Sequence, residues 1–226
     1  MVDSPSRTLT DRTPAERLLD RHRSHDEPYD VEIEDVRLRM RPGVFCPAFT
    51  NTSLFLARHI QVYEGERVLD LFAGSGFQGI AVAPRAGSVV CADHSAEAVA
   101  CAAENAALNG VADRVEVRHG DLFEPVRAET FDVVIANPPL IPGEPEDVLE
   151  TAVYDRSMTV SRRFLAEVGS HLTGTGRVYL IFSDLPGRLG VFDLERSCAE
   201  AGLGCELLGE RPVGYETYSV YLLRKL

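Results

Sequence analysis

The sequence predicts an α/β fold built around a mostly parallel sheet, and three observations support this prediction. After Gly65, apolar strand-like runs alternate with helix-like segments, which implies parallel strands connected by helices on both faces of the sheet. The first run leads into a glycine-rich turn, GSGFQG at 74–79. The C-terminal segment GCELLGERPVGYETYSVYLLRKL has two strand-like runs without a helix between them, which predicts an antiparallel hairpin at one edge of the sheet.

Two segments precede this alternation. Residues 1–30 are rich in Arg, Asp, Ser and Pro, and they predict a partly ordered arm with one short helix after Pro14. In residues 31–62, the alternation in VEIEDVRLRM predicts a hairpin, and TNTSLFLARHI predicts a helix. We expect this hairpin and helix to cover the ligand site of a core that spans residues 63–226.

Each predicted strand of the core is a short apolar run. The runs are RVLDLFA, SVVCAD, RVEVRHGD, FDVVIANPP and GRVYLIFSD. An Ala-rich helix follows the GSGFQG turn, and Ser95 to Asn109 predicts another helix, which ends before Gly110. Because ligands of open parallel sheets bind at the carboxyl ends of the strands, the turns after these runs define the expected site.

Composition narrows the class of protein. The 226 residues are enough for one large domain, and 35 acidic against 23 basic residues give a formal charge of −12. This charge argues against a nucleic-acid partner, because it repels phosphate backbones. No apolar run approaches the roughly 20 residues of a membrane span, so we predict a cytoplasmic protein. The five cysteines lack CxxC spacing and predict reduced thiols rather than a metal site. Nothing in the sequence indicates an oligomeric state.

The glycine-rich turn allows two kinds of cofactor. GSGFQG fits the G-x-G-x-x-G fingerprint, and Asp93 follows about twenty residues later, which on its own indicates NAD and an oxidoreductase. However, Asp70 lies just before the turn, where a second negative charge would favour a cationic ligand over a pyrophosphate. S-adenosylmethionine carries a sulfonium and an ammonium group, and its ribose hydroxyls suit Asp93. As alternatives, Asp70 bonds the turn or caps a helix, and Asp93 caps the helix that follows.

Four motifs, in this order and spacing, resemble those of the class I S-adenosylmethionine-dependent methyltransferases: VLDLFAGSGFQG, CADHS, GDLF and NPPL. The resemblance covers roughly Pro42 to the C-terminus and implies a Rossmann-like sheet with the edge hairpin. It also implies that the first motif wraps the methionine portion of the cofactor, that the acid after the second strand binds ribose, and that Asp121 meets the adenine amino group. The cofactor-binding residues that it implies are Thr52, Asp70, Phe72, Ala73, Gly74, Gly76, Asp93, His94, Asp121, Leu122 and Asn137.

The NPPL motif predicts chemistry at an acceptor nitrogen. The lone pair of an amide or aryl amine is delocalised, so it must be turned toward the methyl carbon for an in-line displacement. The Asn137 side-chain oxygen and the Pro138 carbonyl are two hydrogen-bond acceptors that orient the N–H groups, and the prolines fix the backbone around them. We therefore predict Asn137 and Pro138 as catalytic residues, with Pro139 and Leu140 in contact with the substrate. The alternative is that NPP only ends a strand.

Within class I, the sequence looks most like the HemK-like release-factor glutamine methyltransferases. The segment PGVFCPAFTNTSLFLA supports this, with Thr52 as the counterpart of a Thr that helps close the cofactor site. Two departures are Leu140, where these relatives carry Tyr, and the short arm in place of a helical recognition domain. The predicted activity is N-methylation of an amine or amide of a small molecule or peptide. The alternatives are a protein glutamine or nucleic-acid base methyltransferase, and an NAD-dependent oxidoreductase.

The segment after NPPL, IPGEPEDVLETAVYD, is strongly acidic. It has no basic residue before Arg156, and in the predicted fold it borders the acceptor pocket. Such a loop would attract a cationic acceptor; the alternative is a solvated acidic loop without a ligand. The acids concerned are Glu144, Glu146, Asp147, Glu150 and Asp155.

Overall fold

The computed structural model describes residues 13–226, so residues 1–12 of the predicted arm lie outside the described residues. The helices are α1 Pro14–Arg23, α2 Thr52–Ala57, α3 Phe77–Val82, α4 Ala96–Leu108, α5 Thr159–Val168, α6 Leu185–Arg188 and α7 Leu194–Glu200. The strands are β1 Tyr29–Ile33, β2 Val36–Met40, β3 Arg67–Leu71, β4 Ser88–Asp93, β5 Val115–His119, β6 Phe131–Ala136, β7 Ile141–Pro142, β8 Tyr154–Asp155, β9 Leu172–Ser183, β10 Leu203–Val213 and β11 Glu216–Lys225.

The central sheet has seven strands in the order β10-β11-β9-β6-β3-β4-β5. Strands β5, β4, β3, β6 and β9 run parallel to one another, while β11 pairs antiparallel with both β9 and β10. The prediction of an α/β fold with a mostly parallel sheet and a C-terminal antiparallel edge hairpin is confirmed. The register also fixes the site, because Leu71 at the end of β3 pairs with Ala92 in β4 and with Ala136 in β6.

Apolar side chains pack on both faces of this sheet. Successive residues of a strand point to opposite faces, so Val68 joins one cluster while Leu69 joins the other. The first cluster also contains buried residues of β2, α2 and α3, and the second those of α5 and α7. The predicted hairpin and helix of residues 31–62 therefore share one hydrophobic core with the sheet. Burial of both faces explains why the central strands are near-continuous apolar runs.

Helix α1 is more ordered than the sequence suggested. A capping box at Thr13 and Glu16 starts it, and Leu19 and His22 are buried on its inner side. The His22 ring lies 4.7 Å from the Phe45 ring, its Nδ1 donates to the Leu18 carbonyl (2.8 Å), and its Nε2 accepts the Cys46 N–H (2.8 Å). These two bonds need the neutral ring, and burial lowers the pKa of His22 accordingly. The sequence did not predict that α1 packs against Phe45 and Cys46, because this contact depends on a buried polar residue, His22.

The cysteines are all free thiols, as predicted, with Cys91 and Cys101 fully buried. Among residues 13–226, the helices are too short or too polar to cross a membrane.

The turn between β3 and α3 is held by Asp70. Its carboxylate is 1% exposed and accepts the Gly79 N–H at 2.8 Å, in the first turn of α3. Gly79 has to be glycine because a Cβ there would lie 2.4 Å from the Cys91 Sγ atom. Asp70 therefore satisfies one of the free N–H groups at the start of the helix, which is the turn-bonding alternative considered from the sequence.

Burial also controls the ionisation of Asp70. It raises the pKa of this carboxyl to about 7, because the charged form loses its hydration. The native state therefore keeps a proton that the unfolded chain releases near pH 4, and the stability of the native state falls as pH rises from about 4 to about 7. Above pH 7 both states have lost the proton and this contribution becomes constant.

Asp70→Asn should remove this part of the pH dependence, because Asn keeps an acceptor for the Gly79 N–H and does not titrate. We expect the free energy of unfolding of the wild type, relative to the Asn variant, to fall by up to about 1.4 kcal/mol per pH unit across this window. Urea unfolding between about pH 5 and 8 measures it. The exposed Asp113→Asn variant is the control, and parallel pH profiles for wild type and Asp70→Asn would contradict the prediction.

Candidate active site

A cavity lies at the carboxyl ends of β3, β4 and β6, where three turns meet. The space within it, including the part open to solvent, is about 1090 Å³. Helix α1 contributes Leu18 and the β11 strand contributes Tyr218 to its walls. Ten of the predicted site residues line it: Thr52, Phe72, Ala73, Gly74, Asp93, His94, Asn137, Pro138, Pro139 and Leu140.

The glycines of the GSGFQG turn serve different purposes. Gly74 lines the cavity with φ +53°, and no atom lies within 4 Å of the position where its Cβ would be. Gly76 has φ +81° and starts α3, and a Cβ there would lie 3.0 Å from the Ala102 Cβ on α4. Gly74 therefore keeps the backbone open toward a ligand, whereas Gly76 allows helix packing behind the turn.

Asp93 joins two of the turns. One carboxylate oxygen accepts the Gly74 N–H at 2.8 Å, and the other accepts the Ser95 N–H at 2.9 Å. His94 lies next to it and contacts the Thr151 hydroxyl through Nε2 at 2.9 Å, and the hydrogen bond to Asp93 raises the pKa of His94. The helix cap of α4 is Ser95, whose hydroxyl accepts the Ala98 N–H. Asp93 is therefore available to the cavity.

Asn137 is the polar group at the end of β6. Its Nδ2 donates to the Ser53 hydroxyl oxygen at 3.2 Å. Its Oδ1 accepts no hydrogen bond from residues 13–226. Because this oxygen is not one of the fully buried atoms without a partner, it is at least partly accessible. Asn137 lines the cavity together with Pro138.

Four predicted cofactor residues do not line the cavity. Asp70 and Gly76 lie behind the turn, as described above, where the buried Asp70 carboxyl bonds the start of α3. A contact of Asp70 or Gly76 with the cofactor stays a prediction. Asp121 lies outside the lining and forms an ion pair with Arg163 (2.8 Å), and Leu122 is buried in the second core cluster. A role of Asp121 and Leu122 at the adenine stays a prediction.

Sequence reasoning missed Ser53 and Gln78, both of which line the cavity. The Gln78 Nε2 donates to the Ser53 carbonyl at 2.7 Å. Gln78 occupies a variable position of the glycine fingerprint, and Ser53 follows the predicted Thr52, so neither had a motif of its own. The available signal was that each lies next to a motif residue in the sequence.

The acidic segment after NPPL differs from expectation. Arg23 on α1 forms ion pairs with Asp147 (2.7 Å) and Glu150 (2.6 Å). Arg156 pairs with Glu144 at 2.9 Å. Asp155 is buried and accepts hydrogen bonds from the backbone of α5. The chain supplies its own cations, and the segment turns apolar side chains toward the cavity: Val148, Leu149 and Val153. Four of the five acids are paired or buried, and only Glu146 is exposed without an ion pair among the described residues, so the segment supports a cationic acceptor less than its sequence suggested.

The cavity lining fits S-adenosylmethionine better than NAD. Among the described lining residues there is no Lys or Arg, while the Asp93 carboxylate lies beside the open Gly74 turn. A pyrophosphate would meet a carboxylate without a compensating cation, whereas a sulfonium and a ribose diol suit this set of groups. Asp93, Gly74 and Thr52 line the cavity, and their role in holding such a ligand stays a prediction.

Comparison with known proteins agrees with this reading. A family model described as the methyltransferase small domain matches residues 35–185. A Methanocaldococcus jannaschii protein assigned as a protein N5-glutamine methyltransferase is 31% identical over 164 residues, covering 70% of this chain and 81% of that one. The ribosomal protein uL3 glutamine methyltransferase of Bordetella pertussis is 35% identical, and the release factor glutamine methyltransferase of Gloeobacter violaceus is 33% identical. These alignments cover 51% and 48% of this chain but only 43% and 40% of the two bacterial proteins.

Solved structures show the same fold. The ribosomal protein L11 methylase of Lactobacillus delbrueckii has 25% identity and a TM-score of 0.59, over 84% of this chain and 86% of that one. A Thermus thermophilus 16S rRNA methyltransferase in complex with S-adenosylmethionine and guanosine has 20% identity and a TM-score of 0.64, over 88% of this chain and 50% of that one. The family match over more than half of the chain, together with the cavity, shows that this protein belongs to the methyltransferase small domain family and is a class I S-adenosylmethionine-dependent methyltransferase.

Proposed function

We propose that the protein methylates a neutral carboxamide nitrogen, specifically the side-chain amide of a glutamine in a protein. The observation that carries this proposal is the Asn137 amide at the end of β6. Its nitrogen is held by Ser53, so its oxygen is free toward the cavity beside Pro138. Two hydrogen-bond acceptors side by side match the two N–H groups of a primary amide.

An amide nitrogen needs this kind of orientation because its lone pair is delocalised into the carbonyl. If Asn137 and Pro138 accept its two N–H groups, the plane of the amide is fixed and the lone pair is aimed at the methyl carbon. S-adenosylmethionine, when bound, supplies that methyl group from a sulfonium. The acceptor nitrogen, held by Asn137 and Pro138, would displace the sulfur, which would keep the electron pair of the broken S–C bond, and one N–H proton would leave to water.

The acceptor side of the cavity favours a neutral group. Leu140, Ile141, Leu149 and Val153 lie there together with Leu18 of α1. An ammonium acceptor would have to enter an apolar wall and lose its proton, and Asp147, Glu150 and Glu144 are already paired with Arg23 or Arg156. A carboxamide has no charge to desolvate and finds its two acceptors at the NPP turn.

Three relatives with glutamine methyltransferase names support a glutamine acceptor. The charge of −12 argues against the alternative of a nucleic-acid base, and Leu140 offers no aromatic surface for an extruded base. A small-molecule amide remains the second candidate, because the same two acceptors would orient it.

The substrate class can be tested with purified proteins. Incubate the enzyme with S-adenosylmethionine carrying a labelled methyl group and, separately, the release factor and ribosomal protein uL3 of the same organism. We expect label on a glutamine of one of them, located by peptide mass spectrometry. A further incubation uses cell extract. Label in the small-molecule fraction of that extract, with neither protein modified, would favour a small-molecule amide as the acceptor over a protein glutamine.

Asp93→Ala should weaken S-adenosylmethionine binding by roughly 1 to 3 kcal/mol, the cost of losing a hydrogen bond to a charged group. The reason is that Asp93 both holds the Gly74 turn and faces the cavity where a ribose is expected. Calorimetric titration measures the change. Glu97→Ala, which changes an exposed acid in the first turn of α4 and outside the lining, should bind normally, and unchanged affinity in Asp93→Ala would exclude the ribose contact.

Asn137→Ala should lower kcat by roughly 100-fold or more and leave the dissociation constant of S-adenosylmethionine within a factor of about 2. The resemblance also places Asn137 among the cofactor-binding residues, but we assign its main role to orienting the acceptor, so the chemical step should lose its geometry while cofactor binding is kept. Asn137→Asp should be nearly as harmful, because it replaces the amide that Ser53 holds. Asn51→Ala removes an exposed amide that makes no cap bond near the site and is the control; full turnover by Asn137→Ala would exclude the orienting role.

A further inference from the structure

The Asn137 side chain is held by a residue from a different part of the chain. Ser53 lies in the first turn of α2, is 3% exposed, and its hydroxyl oxygen accepts the Asn137 Nδ2 hydrogen bond. No other described side chain bonds the Asn137 amide. The direction of the Asn137 oxygen therefore depends on which of its two amide atoms faces Ser53.

Ser53 is itself fixed from the cofactor side. Gln78 lies in the first turn of α3, directly after the glycine turn, and its Nε2 donates to the Ser53 carbonyl at 2.7 Å. Its other amide atom, Oε1, is buried without a hydrogen-bond partner among residues 13–226. A buried acceptor without a hydrogen bond costs free energy. A glutamine at position 78 is therefore reasonable if its Nε2 group contributes something that offsets this cost. That contribution is to fix the backbone that carries Ser53.

We propose that Ser53 is a positioning residue for methyl transfer, which holds the Asn137 amide with its oxygen toward the acceptor, and that Gln78 braces Ser53 against the cofactor turn. This inference rests on the proposed function only for the identity of the acceptor. The chain of contacts runs from α3 through α2 to the NPP turn, and it links the half of the cavity next to the glycine turn to the half where the acceptor binds.

The orientation of the Asn137 amide matters because the Ser53 hydroxyl can either donate a hydrogen bond to it or accept one from it. If the Ser53 hydroxyl donated to the Asn137 oxygen, the amide would present N–H groups to the cavity and repel the N–H groups of a carboxamide. With Asn137 as the donor, the oxygen is available and the Ser53 hydrogen is free for a ligand oxygen. Only the second arrangement orients the acceptor, and it is the one in the structure.

The first test needs no acceptor. In ¹⁵N-labelled protein, the Asn137 side-chain amide signals are identified by their loss in Asn137→Ala, and their exchange with water is measured. We expect slow exchange in the wild type, at least about tenfold faster exchange in Ser53→Ala, and slow exchange again in Ser53→Thr, which keeps the hydroxyl. Equal exchange rates in the wild type and Ser53→Ala would overturn the proposal.

Gln78→Met removes the hydrogen bond from the Gln78 amide to the Ser53 carbonyl, while the side chain keeps a similar volume. We expect faster Asn137 exchange than in the wild type, although Ser53 is intact. The matched control is Ser219→Ala, which removes a buried hydroxyl on β11 outside the cavity lining and should leave the Asn137 signals unchanged. An effect of Ser219→Ala as large as that of Ser53→Ala would show a general loosening and overturn the assignment.

The second test is kinetic and uses whichever protein, release factor or uL3, is methylated. Ser53→Ala should lower kcat roughly 10- to 100-fold, with KM and S-adenosylmethionine affinity within about twofold, and Ser53→Thr should recover most of the loss. A fall confined to S-adenosylmethionine affinity would make Ser53 a cofactor contact and overturn the positioning role. If neither protein is methylated while the exchange results hold, the proposed acceptor fails and the Ser53 assignment stands.

Discussion

The parallel pairing of β3 with β4 on one side and β6 on the other is the constraint on which the site depends. Leu71 lies between Ala92 and Ala136, so the three strands end at the same level. Gly74, Asp93 and Asn137 lie at the ends of these strands or just after them and line one cavity, where Asp93 also accepts the Gly74 N–H. The buried apolar runs of these strands supply the stability, and the polar residues are placed where the hydrogen-bonded ladder ends.

The burial of each carboxylate decides its role. Asp70 and Asp93 both stand at strand ends beside the glycine turn, and from the sequence both could contact a ligand. Asp70 is enclosed behind the turn and bonds the start of α3, whereas Asp93 remains accessible at the cavity. Sequence position alone cannot distinguish these roles, because whether a side chain at a strand end faces the cavity or the core depends on how the following helix packs.

The pattern of the sequence was sufficient for the sheet, the edge hairpin and the lining around NPPL, because these depend on local periodicity and on motifs. It was not sufficient for α1 or for the acidic segment. Arg23 and its partners Asp147 and Glu150 are more than a hundred residues apart, so nothing local indicates that the acids are neutralised. The place of Leu18 in the cavity wall was not predictable either. It follows from the packing of α1, which depends on His22, a polar residue buried between aromatic rings.

Helix α2 has a larger role than that of a cover. It belongs to the N-terminal segment, yet its side chains join the core that supports β3 and β6, and its first turn contacts both Gln78 and Asn137. Because Ser53 accepts a hydrogen bond through its side chain and another through its backbone, a displacement of α2 would disturb both bonds together. The hydrogen bonds of Asn137 and Gln78 therefore depend on the packing of α2, and residues 31–62 share one hydrophobic core with the sheet.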